Sequence, residues 1–324
     1  MLKNLKFAKI ITLGLMLFIA TCKTSSNQDK FYLYKVKLQQ KALNLGFDDN
    51  YLEAIFAEIK FNPENILSDH KQFSKKQNFN QYYHNAVNLL RLKKAKNYLK
   101  KYQKLLKEIA NLYQIQPEYI IALWAIESDF GQVTGNYNVI NSIFNLAFEG
   151  RRRKFFEAEF FAALKIIKEN NFNPKNYQGS WAGATGQCQF MPSTYLNYAI
   201  GYNLDGQKDI WHSQTDIFAS IANYLNKINW NYNLPYGYEV KANKKLLKFA
   251  KKNKKIPLKK LQEKYQLTPV NIDNIPQEHL DEIVQLISYE DRVFVLFNNF
   301  YVIKEWNNSN YFALTIGIFA EKIK

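Results

Sequence analysis

Pro117-Glu118-Tyr119-Ile120-Ile121-Ala122-Leu123-Trp124-Ala125-Ile126-Glu127-Ser128 predicts a helix that is apolar on nearly every side. Pro117 fits the first helical position, where an N–H has no partner and a fixed φ is an advantage. A helix apolar all round cannot lie on a surface; other elements have to enclose it. Glu127 interrupts the run near its C-terminal end, just before Asp129-Phe130-Gly131. Desolvation and the negative end of the helix dipole both disfavour its charged form, so its pKa is expected to rise. A carboxyl group that keeps its proton near neutral pH is what a general acid requires. An isolated Glu at a helix end is otherwise a surface or ion-pairing residue, so a second motif has to decide.

Asp129 is a poor partner for a two-carboxylate mechanism. It lies two residues on, where helical side chains point to nearly opposite sides, and a glycosidase pair has to span one sugar, about 5–10 Å. No other carboxylate stands out, which leaves a single-carboxylate scheme. The second motif is Gly179-Ser180-Trp181-Ala182-Gly183-Ala184-Thr185-Gly186-Gln187-Cys188-Gln189-Phe190-Met191-Pro192-Ser193-Thr194-Tyr195. Its small residues permit close backbone approach to a ligand. Ser180, Gln187, Gln189 and Tyr195 supply neutral donors and acceptors of the kind that bind sugar hydroxyls and acetamido groups. The Lys-Ser/Thr ending of a phosphate loop is absent.

Outward from these motifs the chain reads as mainly helical. Leu99, Tyr102, Leu106, Ile109 and Tyr113 recur at three- and four-residue spacing, which predicts one long helix over 83–113 with lysines on its outer face. Further helices are expected at Lys154–Glu169 and Asp216–Lys227. The lysine-rich stretch 241–264 reads as part of a small peripheral unit. Val293, Val295 and Phe297, then Phe300 and Val302, and later Phe312, Leu314 and Ile316 read as short strands with a turn at Asn307–Asn310.

Composition excludes several classes. With 324 residues, 47% hydrophobic and 16% aromatic, the chain can bury a full-sized core, so general disorder is excluded. Two cysteines cannot staple a chain of this length. The net charge of +16 invites a nucleic-acid or an anionic-polymer reading. The N-terminus decides between them. Lys3, Lys6 and Lys9 precede a short apolar run, Ile10 to Ala20, about half of what a membrane-spanning helix needs. This is the pattern of a secretory signal peptide. Ile19-Ala20-Thr21-Cys22 resembles a bacterial lipobox, with Cys22 as the lipidation site and Thr21 as a departure. An exported, lipid-anchored chain has little access to nucleic acid.

Ala125-Ile126-Glu127-Ser128-Asp129-Phe130-Gly131 and the Gly179–Ser193 motif together resemble the lytic murein transglycosylases of the B type. Asn223-Tyr224 with Trp230, Tyr236-Gly237-Tyr238-Glu239-Val240, and Asn299-Phe300-Tyr301-Val302-Ile303 through Trp306-Asn307 extend the resemblance, as does the pattern around Asp69 to Phe79. It covers about Lys30 to Lys324. It implies a mainly α fold: a lysozyme-like catalytic core, a helical N-terminal domain and a small α/β C-terminal portion. The boundaries expected are a lipoprotein signal peptide at 1–21, a tether at 22–30 and the N-terminal domain at 31–105. The catalytic core follows at 106–236, a lysine-rich peripheral domain at 237–288, and strands returning to the core at 289–324.

The resemblance implies non-hydrolytic cleavage of the MurNAc–GlcNAc β-1,4 bond of peptidoglycan, leaving 1,6-anhydro-MurNAc ends, with Glu127 as sole acid and base. An inactive or muramidase-like envelope binding protein is the alternative. The same carry-over places Ser180, Gln189, Tyr224 and Asn307 along the sugar cleft and turns Arg152 and Arg153 toward the glycan or its peptide stem. It implies peptidoglycan strands as partner, a monomer, and a lipid anchor on the periplasmic face of the outer membrane. The surplus charge would then hold the chain near anionic envelope polymers. Family members often carry an EF-hand-like loop after the Gln-Phe-Met-Pro motif. Here Asn203, Asp205 and Gly206 fit it and Asp216 is placed to close it, but Gly201 offers no side-chain oxygen and Lys208 adds positive charge. A Ca²⁺ site takes about six to eight oxygens, so no metal or other cofactor is expected. Cys188 has no histidine near it in sequence and reads as a small buried filler.

Overall fold

The computed structural model describes residues 27–72, 77–203 and 206–324. The signal-peptide and Cys22 readings, and Asp205 of the loop, lie outside them. Among the described residues six helices precede the apolar segment: α1 (Asn27–Asn44), α2 (Asp49–Glu58), α3 (Pro63–Gln72), α4 (Phe79–Ala86), α5 (Leu89–Lys101) and α6 (Gln103–Tyr113). The single long helix expected over 83–113 is therefore three pieces. Its periodicity is real, since Leu106 and Ile109 are buried, but capping overrides continuity. The Asn88 side chain accepts the Arg91 N–H at 2.8 Å and starts α5 afresh. Tyr102, at φ −103° and ψ 17°, ends it.

The decisive segment forms α7 (Pro117–Ser128), with every residue from Tyr119 to Ala125 buried. It is followed by α8 (Val139–Glu149), α9 (Arg153–Glu169), α10 (Pro192–Tyr198) and α11 (Gln214–Lys227). Helices α5, α6 and α11 pack on α7, as does a helix from the far end of the chain. Phe56, Phe144 and Phe160 meet edge to face and tie α2 to the α8–α9 pair. A two-residue ladder, β1 (Tyr137–Asn138) against β2 (Gln178–Gly179), anchors the start of the Gly-rich motif beside α8.

Four antiparallel strands form a sheet in the order β3-β6-β5-β4: β3 (Gly237–Val240), β4 (Lys255–Pro257), β5 (Ile283–Tyr289) and β6 (Arg292–Leu296). Alternation along β6 sends Phe294 and Leu296 into the main core, while Val293 and Val295 enter a second cluster with Val284 and Leu286. Helices α12 (Lys244–Ala250) and α13 (Leu258–Tyr265) cover that second face through Leu246, Ala250, Leu258 and Leu261. The sheet thus divides a small module from the helical core.

The strands expected after residue 297 are instead two helices, α14 (Asn298–Trp306) and α15 (Asn310–Ile323). Helix α15 is enclosed on almost every side, with ten buried residues including Phe312 to Ala320 without a break. In such a helix any three-residue window of alternate apolar positions imitates a strand. The chain turns at Asn307–Ser309, and the Ser309 hydroxyl caps α15 by accepting the Phe312 N–H at 3.3 Å.

Helix α15 reaches α7 because Gly317 lets it close on the buried Tyr236 ring, which a Cβ would strike. Gly317→Ala gains about 1 kcal/mol of helix propensity yet forces overpacking that costs about 1–3 kcal/mol in a sealed core. Urea unfolding is expected to show a net loss of stability, the reverse of the usual Gly-to-Ala effect in a helix.

Candidate active site

Helix α7 ends where Asp129 takes a left-handed conformation, φ 46° and ψ 51°, and its N–H returns to Ala125 O at 3.0 Å. This stop leaves Glu127 in the last turn, partly exposed and set among buried neighbours. Trp306, at the end of α14, donates its indole N–H to Glu127 Oε1 at 2.8 Å. Burial pushes the Glu127 carboxyl up to about 8, and the Trp306 hydrogen bond to the carboxylate opposes that rise. The group is therefore an acid at neutral pH that retains one partner for its charged form.

Asp129 is turned away and engaged elsewhere. Its carboxylate accepts from Arg91 Nε at 3.0 Å and faces Lys94 Nζ at 3.8 Å. Both of its oxygens thus face cations of α5. Around Trp306 the rings of Phe190 and Tyr224 stand 5.2 and 4.8 Å away, and Tyr198 meets Tyr224 at 4.7 Å. Tyr224 thus reaches the site through the Trp306 wall. Asn307, exposed, is the residue directly after that wall.

The 178–190 loop is pinned to α7 by amides. Trp124 Nε1 donates to Gln187 Oε1 at 2.8 Å, and Gln187 Nε2 donates to Trp211 O at 2.7 Å. Gln189 donates to Thr134 O at 3.0 Å and Gly186 O at 2.9 Å, so both amide hydrogens are used and its carbonyl is left as an acceptor. Ser180 Oγ accepts the Ala184 N–H at 3.0 Å, which leaves the hydroxyl proton to donate. The Pro192-Ser193 end of the motif is fixed by Glu159, whose carboxylate accepts from Ser193 N at 2.8 Å and Ser193 Oγ at 2.6 Å. Cys188 is fully buried and burial raises its thiol pKa, in keeping with a filler.

Arg152 and Arg153 are held by other groups. Asp69, 2% exposed, accepts from Arg152 at 2.9 Å and from Arg151. Arg153 donates to Ala147 O and Phe148 O and lies over the Tyr34 ring. These contacts brace the head of α9 against α1, α3 and α8 and do not lead to Glu127. In the loop after the motif, the fully buried Asp216 accepts the Tyr202 N–H and the Asp209 N–H, both at 2.9 Å. Asp209 Oδ1 in turn accepts the N–H groups of Trp211 and His212.

Sequence reasoning missed the role of Trp306 as the partner of Glu127, although the residue stood inside a matched motif. It also missed Tyr82, whose phenol is pushed up by burial and by the charge of Glu127. An indole among apolar residues that must find an acceptor was the available signal for Trp306.

Residues 30–321 match the family model described as a transglycosylase SLT domain. Over 130 residues, 40% of the chain, it is 32% identical to the membrane-bound lytic murein transglycosylase B of Escherichia coli K12, a match spanning 36% of that protein's length. SltB3 from Pseudomonas aeruginosa, solved in complex with NAG-NAM-pentapeptide, superposes with a TM-score of 0.83 at 32% identity, over 90% of this chain and 78% of that one. Slt35 from E. coli, solved in complex with calcium, gives a TM-score of 0.76 at 23% identity, over 90% and 92% of the two chains. The fold is thus the lysozyme-like fold of lytic transglycosylases.

Because the native state holds the Glu127 proton to higher pH than the unfolded chain does, stability is present at low pH. It is lost as pH rises from the ordinary 4.5 through about 8. Glu127→Gln is expected to abolish that part of the decline in urea unfolding series. Trp306→Phe removes the one hydrogen bond that lowers the pKa, so a carbon-13 titration of the Glu127 carboxyl is expected to move above about 8.

Proposed function

As the chain belongs to the transglycosylase SLT domain family, we infer that it cleaves the β-1,4 bond between MurNAc and GlcNAc in peptidoglycan without adding water. The observation that carries this reading is one carboxyl group with a pKa near 8, beside an aspartate already neutralised by Arg91 and Lys94. Protonated Glu127 gives its proton to the glycosidic oxygen as the C1–O bond breaks. The acetamido carbonyl of MurNAc closes on C1 and carries the positive charge. Glu127, now a carboxylate, takes the proton of the C6 hydroxyl while that oxygen displaces the acetamido group from C1. The products are a free 4-hydroxyl and a 1,6-anhydro ring, and Glu127 recovers its proton. Substrate assistance of this kind removes the need for a second carboxylate.

The polar groups suit that substrate. The Ser180 hydroxyl is left to donate and the Gln189 carbonyl to accept, a complementary pair for an acetamido group or ring hydroxyls. Asn307 and the Trp306–Tyr224 wall supply the exposed amide and the apolar surface on which a pyranose face packs. Arg152 and Arg153 brace the fold through Asp69, backbone carbonyls and the rings of Tyr34, Phe155 and Phe156, and the part of Arg152 left exposed is open to the glycan or its peptide stem. No metal enters the scheme. Among the described residues, both oxygens of Asp216 and one of Asp209 accept backbone amides, so the loop carboxylates already serve the fold. Lipidation at Cys22, and through it an outer-membrane location, completes the reading. It is supported by the lipobox-like sequence and by the similarity to a membrane-bound relative.

Digestion of purified sacculi is expected to release muropeptides one water lighter than hydrolytic products, detected by mass spectrometry. Glu127→Gln is expected to lower their yield by about 10²–10⁴-fold, the usual reach of general acid–base catalysis. Reducing ends in place of anhydro ends would mean a hydrolase. Wild-type activity is expected to fall as pH rises through about 8, as Glu127 loses its proton.

A further inference from the structure

The segment 241–264 contains eleven lysines and one acid, Glu263, and so supplies ten of the sixteen net positive charges of the chain. All eleven lysines are exposed. Among the described residues the lysines in ion pairs are Lys41, Lys94, Lys165 and Lys175, none of them from this segment. Like charges at this density repel one another, and the fold spends no acids to relieve them. Composition alone does not account for this, because the remaining three hundred or so residues share only six net charges.

Their position excludes a role in the cleft around Glu127. Ten of the lysines ride on α12, α13, β4 and the turn between α12 and β4, and Lys241 directly follows β3. Both helices cover the sheet face that carries Val293 and Val295, whereas the opposite face, through Phe294 and Leu296, packs on the helical core that holds Glu127. Lys255 lies over the Tyr301 ring on the core-side face; the lysines of α12 and α13 are on the face turned away from the core. The cationic surface is also spread out rather than convergent, and it contains no arginine. Arginine forks suit bidentate binding of individual phosphates, while lysines act as mobile point charges. A dispersed lysine field matches a broad anionic surface. In the same module Val270, two residues beyond the Thr268 carbonyl that accepts the Lys241 N–H, is 49% exposed, and an apolar residue beside a polybasic patch suits a bilayer interface.

We propose that this module is an electrostatic docking surface for anionic phospholipid headgroups, which holds the Glu127 side of the molecule facing away from the membrane. The attraction acts within a Debye length of the surface and is weakened by salt. This proposal does not depend on the chemistry assigned to Glu127. It would also operate alongside an N-terminal anchor, by fixing orientation where a single flexible tether cannot.

The test uses residues 27–324, which contain both hydrophobic clusters and every described element of the fold. Co-sedimentation with phosphatidylcholine vesicles containing about 30% phosphatidylglycerol is expected at about 50 mM salt, and little of it at about 0.5 M salt. Phosphatidylcholine alone should retain at least about tenfold less protein. Replacing Lys244, Lys245, Lys248, Lys251, Lys252 and Lys254 by Gln should lower binding to the anionic vesicles by about tenfold or more. The matching Lys→Arg set should keep it, and release of muropeptides from sacculi in solution should be unchanged in both. Equal retention by neutral vesicles would overturn the proposal, as would unchanged binding of the Gln variant. So would an absence of vesicle binding together with a loss, in the Gln variant, of affinity for sacculi or for duplex DNA.

Discussion

The hydrogen bond from Trp306 to Glu127 joins residues 179 positions apart, and the rest of the fold is arranged to make it possible. A carboxyl group at the end of an apolar helix loses hydration, and it keeps a usable charged form only if a donor is built in beside it. That donor sits on α14, which is reached only after the chain has built α8 to α11, crossed the sheet and returned. Helix α15 then has to pack directly on α7, and Gly317 against Tyr236 sets how near it comes. The all-round apolar character of α7 follows from the same demand. Helices α5, α6, α11 and α15 enclose it so that only its two ends meet the outside.

How much of this was legible depends on the reach of each interaction. The burial of α7 and the unusual position of Glu127 could be read locally, since an apolar run with Pro117 at its start specifies both its conformation and its enclosure. The end of the chain was misread for a related reason. Phe312, Leu314 and Ile316 belong to a helix buried on all faces, and such a helix has no polar stripe to betray its period. The break at Asn88 was present in the sequence as an N-cap residue but was hidden by a periodicity that runs across it. Trp306 to Glu127, Gln187 to Trp124 and Asp69 to Arg151 and Arg152 link distant segments, and no local pattern announces them. The arginine pair shows the same limit: the contacts of Arg152 to Asp69 and of Arg153 to the end of α8 join segments that no local pattern connects.

The loop after the Gly-rich motif illustrates a different substitution. A cation-binding loop gathers its carboxylates around a central charge. Here Asp216 is fully buried and its two oxygens each take a backbone N–H from a different part of the loop, Tyr202 and Asp209. The side chain thereby ties two separate parts of the loop together.

Net charge sets the last constraint. In a chain with 44 basic side chains against 28 acidic ones, a cation near Glu127 is the default hazard. One lysine or arginine within about 4–6 Å would stabilise the carboxylate and return its pKa to a range in which it no longer carries a proton at neutral pH. The causes acting on Glu127 are burial and the neutral indole of Trp306. The cations of α5 nearest to the end of α7, Arg91 and Lys94, are drawn instead to Asp129. The loop that faces the site is braced by glutamines and backbone amides, which add hydrogen bonds without adding charge. Burial is thus the larger influence on the acidity of Glu127, and ten of the sixteen surplus charges are carried by the small module instead.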